Sequence, residues 1–141
     1  MAAMRLKQKA EETKEPKKTV LAVDDAQSNL QVVESALRDD FVVHLAKSGS
    51  MAIIALQRFV PDLILLDIEM PRVSGFDVME EIRNSPRLRK VPVIFLTSHA
   101  EADSVVTALR KGAKDYIVKP FDPTNLRERV HKVLAQSSGQ G

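Results

Sequence analysis

Between residues 19 and 136, the chain alternates short apolar runs with longer segments whose apolar residues recur at helical spacing. The apolar runs predict strands. They are continuous rather than alternating with polar residues, which is typical of strands buried on both faces of a sheet. In the segments between them, positions such as Leu30, Val33 and Leu37 repeat every three or four residues, which predicts helices. The predicted strands are 19–23, 41–46, 63–66, 91–96 and 115–119, and the predicted helices are 26–40, 48–59, 75–85, 101–112 and 122–136.

Five strands and five helices in strict alternation predict a three-layer α/β domain with a doubly wound parallel sheet. The apolar share of 44% and the charged share of 28% agree with one globular domain. The chain has no cysteine, which excludes disulfides and thiolate metal sites and fits a reducing, cytoplasmic setting. No apolar run is long enough to span a bilayer, so we expect no membrane segment.

Charge is concentrated at the N-terminus. Residues 1–18 hold six Lys or Arg and three Glu, whereas the rest holds 15 basic and 16 acidic residues. We therefore expect a basic, solvated leader over 1–18, a domain over 19–136, and a flexible tail or linker over 137–141. Because the alkaline balance comes from the leader, direct nucleic-acid binding by the domain is not indicated.

Polar residues close four of the five predicted strands. Asp24 and Asp25 follow the first strand, Asp67 the third, Thr97 the fourth, and Lys119 ends the fifth. Because the carboxyl ends of parallel strands share one edge of a sheet, where ligand sites form, we expect these side chains to meet.

Three carboxylates at contact distance repel one another, by about 4 kcal/mol for each close pair at an effective dielectric of 20. Lys119 supplies one compensating charge and a divalent ion would supply two more. The ligands are hard oxygens, which favours Mg²⁺ or Mn²⁺ over zinc. A metal, a lysine, a hydroxyl and a carboxylate nucleophile together form a phosphoryl-transfer site. Asp67, on the central strand, is the best candidate for the nucleophile, which leaves Asp24 and Asp25 to hold the metal.

Four sequence motifs lie at these strand ends: VDD (23–25), LLDIEMPRVSG (65–75), FLTS (95–98) and DYIVKPF (115–121). In these motifs and over roughly residues 19–136, the sequence resembles the receiver domain of two-component response regulators. The resemblance implies a flavodoxin-like (βα)5 fold with strand order 2-1-3-4-5. It also implies that Asp67 accepts a phosphoryl group from a histidine kinase or a histidine phosphotransfer protein.

The resemblance also assigns the metal ligands. Asp25, Asp67 and the backbone carbonyl of Glu69 would bind Mg²⁺ directly, and Asp24 would hold a metal-bound water. The side chain of Glu69 and that of His99 match two positions that tune the lifetime of the phosphoryl group, without a fixed direction of effect.

The resemblance also assigns roles in activation to three residues. Thr97 would hydrogen-bond the phosphoryl group, Lys119 would pair with it, and Tyr116 matches the aromatic switch position. The Lys119–Pro120 bond is expected to be cis. The exposed faces of the helices next to the fourth and fifth strands would form the signalling surface, with a phosphorylation-dependent homodimer as one outcome. Such a domain would catalyse its own phosphorylation and dephosphorylation and would otherwise not be an enzyme.

Taken singly, the residues have ordinary explanations: Asp24, Asp25 and Thr97 as turn or cap residues, Tyr116 as packing, Lys119 as a surface charge. Two other functions are alternatives to this one. An aspartate-nucleophile phosphohydrolase would need its metal acids after the lysine and a D-x-D nucleophile motif. A flavodoxin would need a phosphate-binding first loop, and the acids there would repel the phosphate.

The sequence allows two ways in which a receiver domain could pass on its signal. The chain ends just after the fifth predicted helix. We expect either a receiver that acts through an output partner or a fragment whose output domain is missing.

Overall fold

The computed structural model describes residues 16–98 and 102–139, and it contains five strands and five helices in alternation. Residues 1–15 of the predicted leader, residues 140 and 141 of the predicted tail, and His99 lie outside the described residues. The strands are β1 (Thr19–Val23), β2 (Val42–Ala46), β3 (Leu63–Asp67), β4 (Val93–Thr97) and β5 (Asp115–Val118). The helices are α1 (Gln27–Leu37), α2 (Gly49–Arg58), α3 (Gly75–Asn84), α4 (Ala102–Arg110) and α5 (Pro123–Gly139).

All neighbouring strands pair in parallel, in the order β2-β1-β3-β4-β5. The predicted doubly wound fold and its strand order are confirmed. The order reverses direction between β1 and β3, and in such sheets the crevice at the carboxyl ends of these two strands is the usual ligand site. Asp67 pairs with Leu96, and Thr97 pairs with Val118, at the last ladder positions of their strands.

The sheet separates two apolar layers because successive side chains of each strand point to opposite faces. In the central strands, Leu21, Ile64 and Phe95 pack in one layer, with residues of α2, α3 and α4. Their chain neighbours Val20, Leu65 and Ile94 pack in the other, with residues of α1 and α5. This two-sided burial explains why the strands are continuously apolar in the sequence.

Most predicted bounds are met within two residues, and one difference, at the ends of β3 and β4, bears on the site. β3 and β4 each extend to their polar final residue, Asp67 and Thr97, so the backbone of both residues is part of the ladder. Helix α1 ends at Leu37 rather than at residue 40, because the chain turns there and the Phe41 N–H donates to the Leu37 carbonyl at 2.9 Å.

Helix α5 continues past the predicted end at residue 136 to Gly139. The predicted tail over 137–141 is therefore helical in its first part, because the serines at 137 and 138 disfavour a helix far less than proline would. Among the described residues, none of the helices is long and apolar enough to cross a bilayer.

Candidate functional site

The predicted acid cluster forms at the carboxyl ends of β1 and β3. Asp24, Asp25 and Asp67 each bring one carboxylate oxygen to a point where all three atoms lie within 4.8 Å of one another. Asp24 is fully buried and Asp67 is 2% exposed, whereas Asp25 is exposed. The cluster is thus a buried pair of acids with its third member facing solvent.

Lys119 bridges the two buried acids. Its Nζ lies 2.8 Å from Asp24 Oδ2 and 3.0 Å from Asp67 Oδ1. The backbone delivers it there, because the Lys119 N–H donates to the Thr97 carbonyl at 2.8 Å and continues the pairing of β5 with β4. The Lys119–Pro120 peptide bond is cis, as expected from the sequence.

The charges in this cluster perturb each other. Burial raises the pKa of Asp67 to about 7, the negative charge of Asp24 adds to this rise, and Lys119 opposes it. Burial alone would lower the pKa of Lys119, but its hydrogen bonds to the two acids and their charges together raise it. Desolvation and the nearby like charge therefore disfavour the ionised form of Asp67, and further positive charge would stabilise it.

The two oxygens of Asp67 differ in their contacts. Oδ1 accepts from Lys119 and, at 3.3 Å, from the Glu69 backbone N–H. Oδ2 is buried and has no hydrogen-bond partner among the described residues. An acceptor left unpaired in the interior is costly, so this oxygen is poised to bind a cation or to form a bond. The hard oxygen donors fit Mg²⁺ or Mn²⁺.

The loop after Asp67 is fixed by a close approach of helix α3. The Gly75 N–H donates to the Ile68 carbonyl at 2.8 Å. A Cβ at Gly75 would lie 2.2 Å from the Asp67 carbonyl oxygen, so only glycine fits. At the preceding residue, Ser74 caps α3 and forms a capping box with Asp77. The start of α3 therefore sets the backbone position of Asp67.

The structure places the other predicted residues around this cluster. Thr97 is buried at the end of β4. Tyr116 is half-buried and packs against the apolar layer that the sheet forms with α2, α3 and α4. Glu69 is exposed, and the Ser98 hydroxyl donates to its Oε1 at 3.2 Å. His99, the second predicted tuning residue, lies outside the described residues.

One residue of the site was not predicted from the sequence. Asn29, in the first turn of α1, donates from Nδ2 to Asp24 Oδ2 at 3.2 Å. The only available signal was an asparagine one helical turn after the acid pair, and that pattern also fits an ordinary surface residue. Its role becomes visible only when α1 is placed against the strand ends.

Comparison with protein families agrees with this geometry. The family model described as the response regulator receiver domain matches residues 20–131, which include each of the described site residues.

Two curated relatives show the same likeness. A protein named probable cyclic di-GMP phosphodiesterase from Vibrio cholerae is 36% identical over 116 residues, which cover 82% of this chain and 26% of that protein. A protein named probable transcriptional regulator ycf27 from Guillardia theta is 37% identical over 125 residues, 88% of this chain and 48% of that protein. The chain thus spans about a quarter to a half of the length of these relatives.

Among solved structures, the chemotaxis protein CheY4 from Vibrio cholerae superposes with a TM-score of 0.79 at 30% identity, covering 83% of this chain and 98% of that one. None of these matches supports the phosphohydrolase or the flavodoxin alternative. Together, the sheet order, the acid cluster and the match over residues 20–131 show that the chain belongs to the response regulator receiver domain family, whose function is two-component signal transduction.

Proposed function

We propose that this receiver domain accepts a phosphoryl group on Asp67 from a histidine kinase or a histidine phosphotransfer protein. The observation that carries the proposal is the buried, unpartnered Oδ2 of Asp67, beside Lys119 and the Asp24–Asp25 pair. Receiver domains as a family interact with such phosphodonors.

In the proposed transfer, Asp67 Oδ2 attacks the phosphorus of a phosphohistidine. The P–O bond to Asp67 forms as the P–N bond breaks, and the donor imidazole nitrogen keeps the electron pair. The product is an acyl phosphate on Asp67, and reaction of this group with water would return the carboxylate. Lys119 stays close enough to pair with the phosphoryl oxygens, and the Thr97 hydroxyl would donate to another of them. Beyond catalysing its own phosphorylation and dephosphorylation in this way, the domain would not act as an enzyme.

The acid cluster fits a magnesium ion. Asp25, Asp67 and the Glu69 backbone carbonyl would be its direct ligands, and Asp24 would hold a metal-bound water. Receiver domains generally bind Mg²⁺ at an acidic pocket, and the donor set here consists of hard oxygens. When bound, the ion supplies positive charge that offsets the three carboxylates and the incoming phosphoryl oxygens. Mn²⁺ has the same ligand preference and would serve as a probe.

The proposed response passes from Thr97 and Tyr116 to the neighbouring helices α4 and α5. The phosphoryl group would favour the arrangement in which Thr97 turns toward it and Tyr116 turns inward, and it shifts the equilibrium only by this difference in binding. The faces of α4 and α5 would then engage a second copy of the chain, an output partner or an output domain. These events would take place in the cytoplasm.

The test is phosphate uptake measured by intact-protein mass after incubation with acetyl phosphate and Mg²⁺. Wild type should gain one phosphoryl group, and Asp67→Asn should gain none. Asp62→Asn is a matched control at the other end of the same strand, where the carboxylate accepts the Thr19 N–H, and it should gain the group as wild type does.

EDTA should abolish uptake in wild type and in Asp62→Asn alike. Equal uptake by wild type and Asp67→Asn would overturn the assignment of the phosphoacceptor. Uptake that is unaffected by EDTA would overturn the metal requirement.

A further inference from the structure

Asn29 contributes one of three donors that surround the buried carboxylate of Asp24. Its Nδ2 donates to Asp24 Oδ2 at 3.2 Å, and Lys119 Nζ lies 2.8 Å from the same oxygen. The other oxygen, Oδ1, accepts the Ala26 N–H at 2.9 Å. The orientation of Asp24 therefore depends on a backbone amide, a neutral side-chain amide and a charged amine.

The three donors would not all keep their contact with Asp24 once Asp67 carries a phosphoryl group. Lys119 is shared, because its Nζ also lies 3.0 Å from Asp67 Oδ1. In the proposed function Lys119 pairs with the phosphoryl group on Asp67, and a lysine drawn toward those oxygens holds Asp24 less firmly. The Ala26 N–H contacts only Oδ1. Asp24 Oδ2 is then left with the amide of Asn29.

The two side-chain donors also differ in charge. A cation on Asp24 competes electrostatically with a metal ion at the same cluster, because like charges repel at these distances. An amide donor orients the carboxylate and leaves its full negative charge available to the ion. A neutral donor at this position therefore suits a carboxylate that has to act on a metal-bound water.

We propose that Asn29 is a positioning residue that holds Asp24 Oδ2 in place for the magnesium site, whether Lys119 contacts Asp24 or the phosphoryl group. This inference rests on the proposed function, in which Asp24 holds a metal-bound water. Asn29 touches neither the phosphorus nor the attacking oxygen in this scheme; it acts through Asp24.

The first experiment is a Mg²⁺ titration of the metal-free protein, followed by calorimetry and by amide chemical shifts. Asn29→Leu, which has a similar volume and no donor, should weaken Mg²⁺ binding about tenfold, as loss of an outer partner of a metal site does. Asn125→Leu is the matched control. Asn125 is also the third residue of its helix, α5, where its backbone N–H bonds Asp122, and the substitution should leave Mg²⁺ binding unchanged.

Asn29→Gln separates the donor from simple packing. It keeps an amide on a longer side chain and should recover most of the lost Mg²⁺ affinity. If Asn29→Leu binds Mg²⁺ as tightly as wild type, or if Asn29→Gln binds it as weakly as Asn29→Leu, the inference is wrong.

A second readout distinguishes positioning from stability. In the metal-free state, Asn29→Leu should melt within about 2 °C of Asn125→Leu, because each loses one polar side chain in a first helical turn. In acetyl phosphate assays, Asn29→Leu should raise the half-saturating Mg²⁺ concentration and leave the rate at saturating Mg²⁺ within about twofold of wild type. A melting temperature well below that of Asn125→Leu, with no change in the Mg²⁺ requirement, would show a structural role instead.

Failure of the proposed function has a different signature. If wild type takes up no phosphate, the phosphoacceptor assignment fails, and the Mg²⁺ titration still decides whether Asn29 positions Asp24.

Discussion

Strand β3 has an aspartate at either end, Asp62 directly before its first residue and Asp67 as its last, and the two lie in opposite surroundings. At the amino end Asp62 is exposed, accepts the Thr19 N–H at 2.7 Å, and donates its own N–H to the Thr19 carbonyl at 2.8 Å. At the carboxyl end Asp67 is buried, lies in a group of three carboxylates, and has one oxygen with no partner among the described residues. The first aspartate satisfies the backbone of a neighbouring strand, and the second keeps an oxygen available for chemistry.

The same contrast extends across the sheet. We call the edge with Asp24, Asp25 and Asp67 the acid end, and the opposite edge, with Arg83, the clamp end. The Arg83 guanidinium donates to three carbonyls, those of Lys111 at 3.2 Å, Gly112 at 2.6 Å and Arg89. At the clamp end a charge is spread over neutral acceptors, whereas at the acid end like charges are held together. We therefore expect substitutions at the clamp end to reduce stability, and substitutions at the acid end to reduce Mg²⁺ binding or phosphate uptake.

The largest effect is expected at the acid end from Asp25→Asn. Removing one full charge beside a dication should weaken Mg²⁺ binding on the order of a hundredfold. The metal-free domain should be as stable as wild type or more so, because repulsion among the carboxylates decreases. Calorimetric Mg²⁺ titration and thermal melting in EDTA measure both effects. A clear fall in the metal-free melting temperature would identify Asp25 as a structural cap. It would contradict the prediction that substitutions at the acid end reduce function rather than stability.

At the clamp end, Arg83→Met should lower the free energy of unfolding by about 2 kcal/mol, because it removes charge-assisted hydrogen bonds to three carbonyls. Phosphate uptake at saturating Mg²⁺ should persist below the melting transition. Arg89→Met is the matched control, since among the described residues no hydrogen bond is made by the Arg89 side chain, and it should be near neutral. Urea denaturation gives the stabilities. Unchanged stability of Arg83→Met, or loss of uptake in the folded variant, would contradict the assignment of this end to structure.

Beryllofluoride, a mimic of the phosphoryl group, should change amide exchange by a few-fold or more in helices α4 and α5. The change should not reach the Thr19–Asp62 pairing at the clamp end, because the proposed switch residues Thr97 and Tyr116 lie on β4 and β5. Hydrogen exchange with and without beryllofluoride, in the presence of Mg²⁺, measures this, and Asp67→Asn serves as the unresponsive control. Protection confined to the loops after Asp25 and Asp67 would exclude the proposed route of switching.

The smallest effect concerns the lifetime of the phosphoryl group. Glu69→Ala and His99→Ala should each change the dephosphorylation rate several-fold and still permit uptake, because neither side chain is the nucleophile or a required metal ligand. Glu80→Ala, an exposed acid on α3, is the control. The measurement is loss of phosphate from the purified phosphoprotein in Mg²⁺. Rates within about twofold of wild type for both variants would show that Glu69 and His99 do not tune this lifetime.

Much of the fold could be predicted from the sequence, because its signals are local. A continuously apolar strand such as Leu63–Leu66 indicates burial on both faces, and strict alternation with helical segments restricts the topology to a parallel sheet. The residues that close the strands were predicted to meet because parallel strands share their carboxyl edge. The errors are at helix ends, such as that of α1, where capping and turning decide within a residue or two.

The contacts that connect distant parts of the chain could not be predicted in the same way. Arg83 and Gly112 are 29 residues apart, and nothing in the local pattern near either residue indicates their hydrogen bond. Gly112 has a φ of 98°, and a Cβ there would lie 2.6 Å from the Arg83 guanidinium. The sequence predicted only that a helix over 101–112 ends at this position.

At the acid end, the sequence by itself determined which residue types arrive at the carboxyl edge of the sheet, because strand periodicity and chain direction fix that. It did not determine which oxygen of Asp67 is left without a partner, or that Lys119 and Asn29 converge on one oxygen of Asp24. Those features depend on side-chain directions and on burial, which are set only when α1, β3 and β5 pack together. Burial then gives the charges their strength, because electrostatic interactions grow as water is excluded.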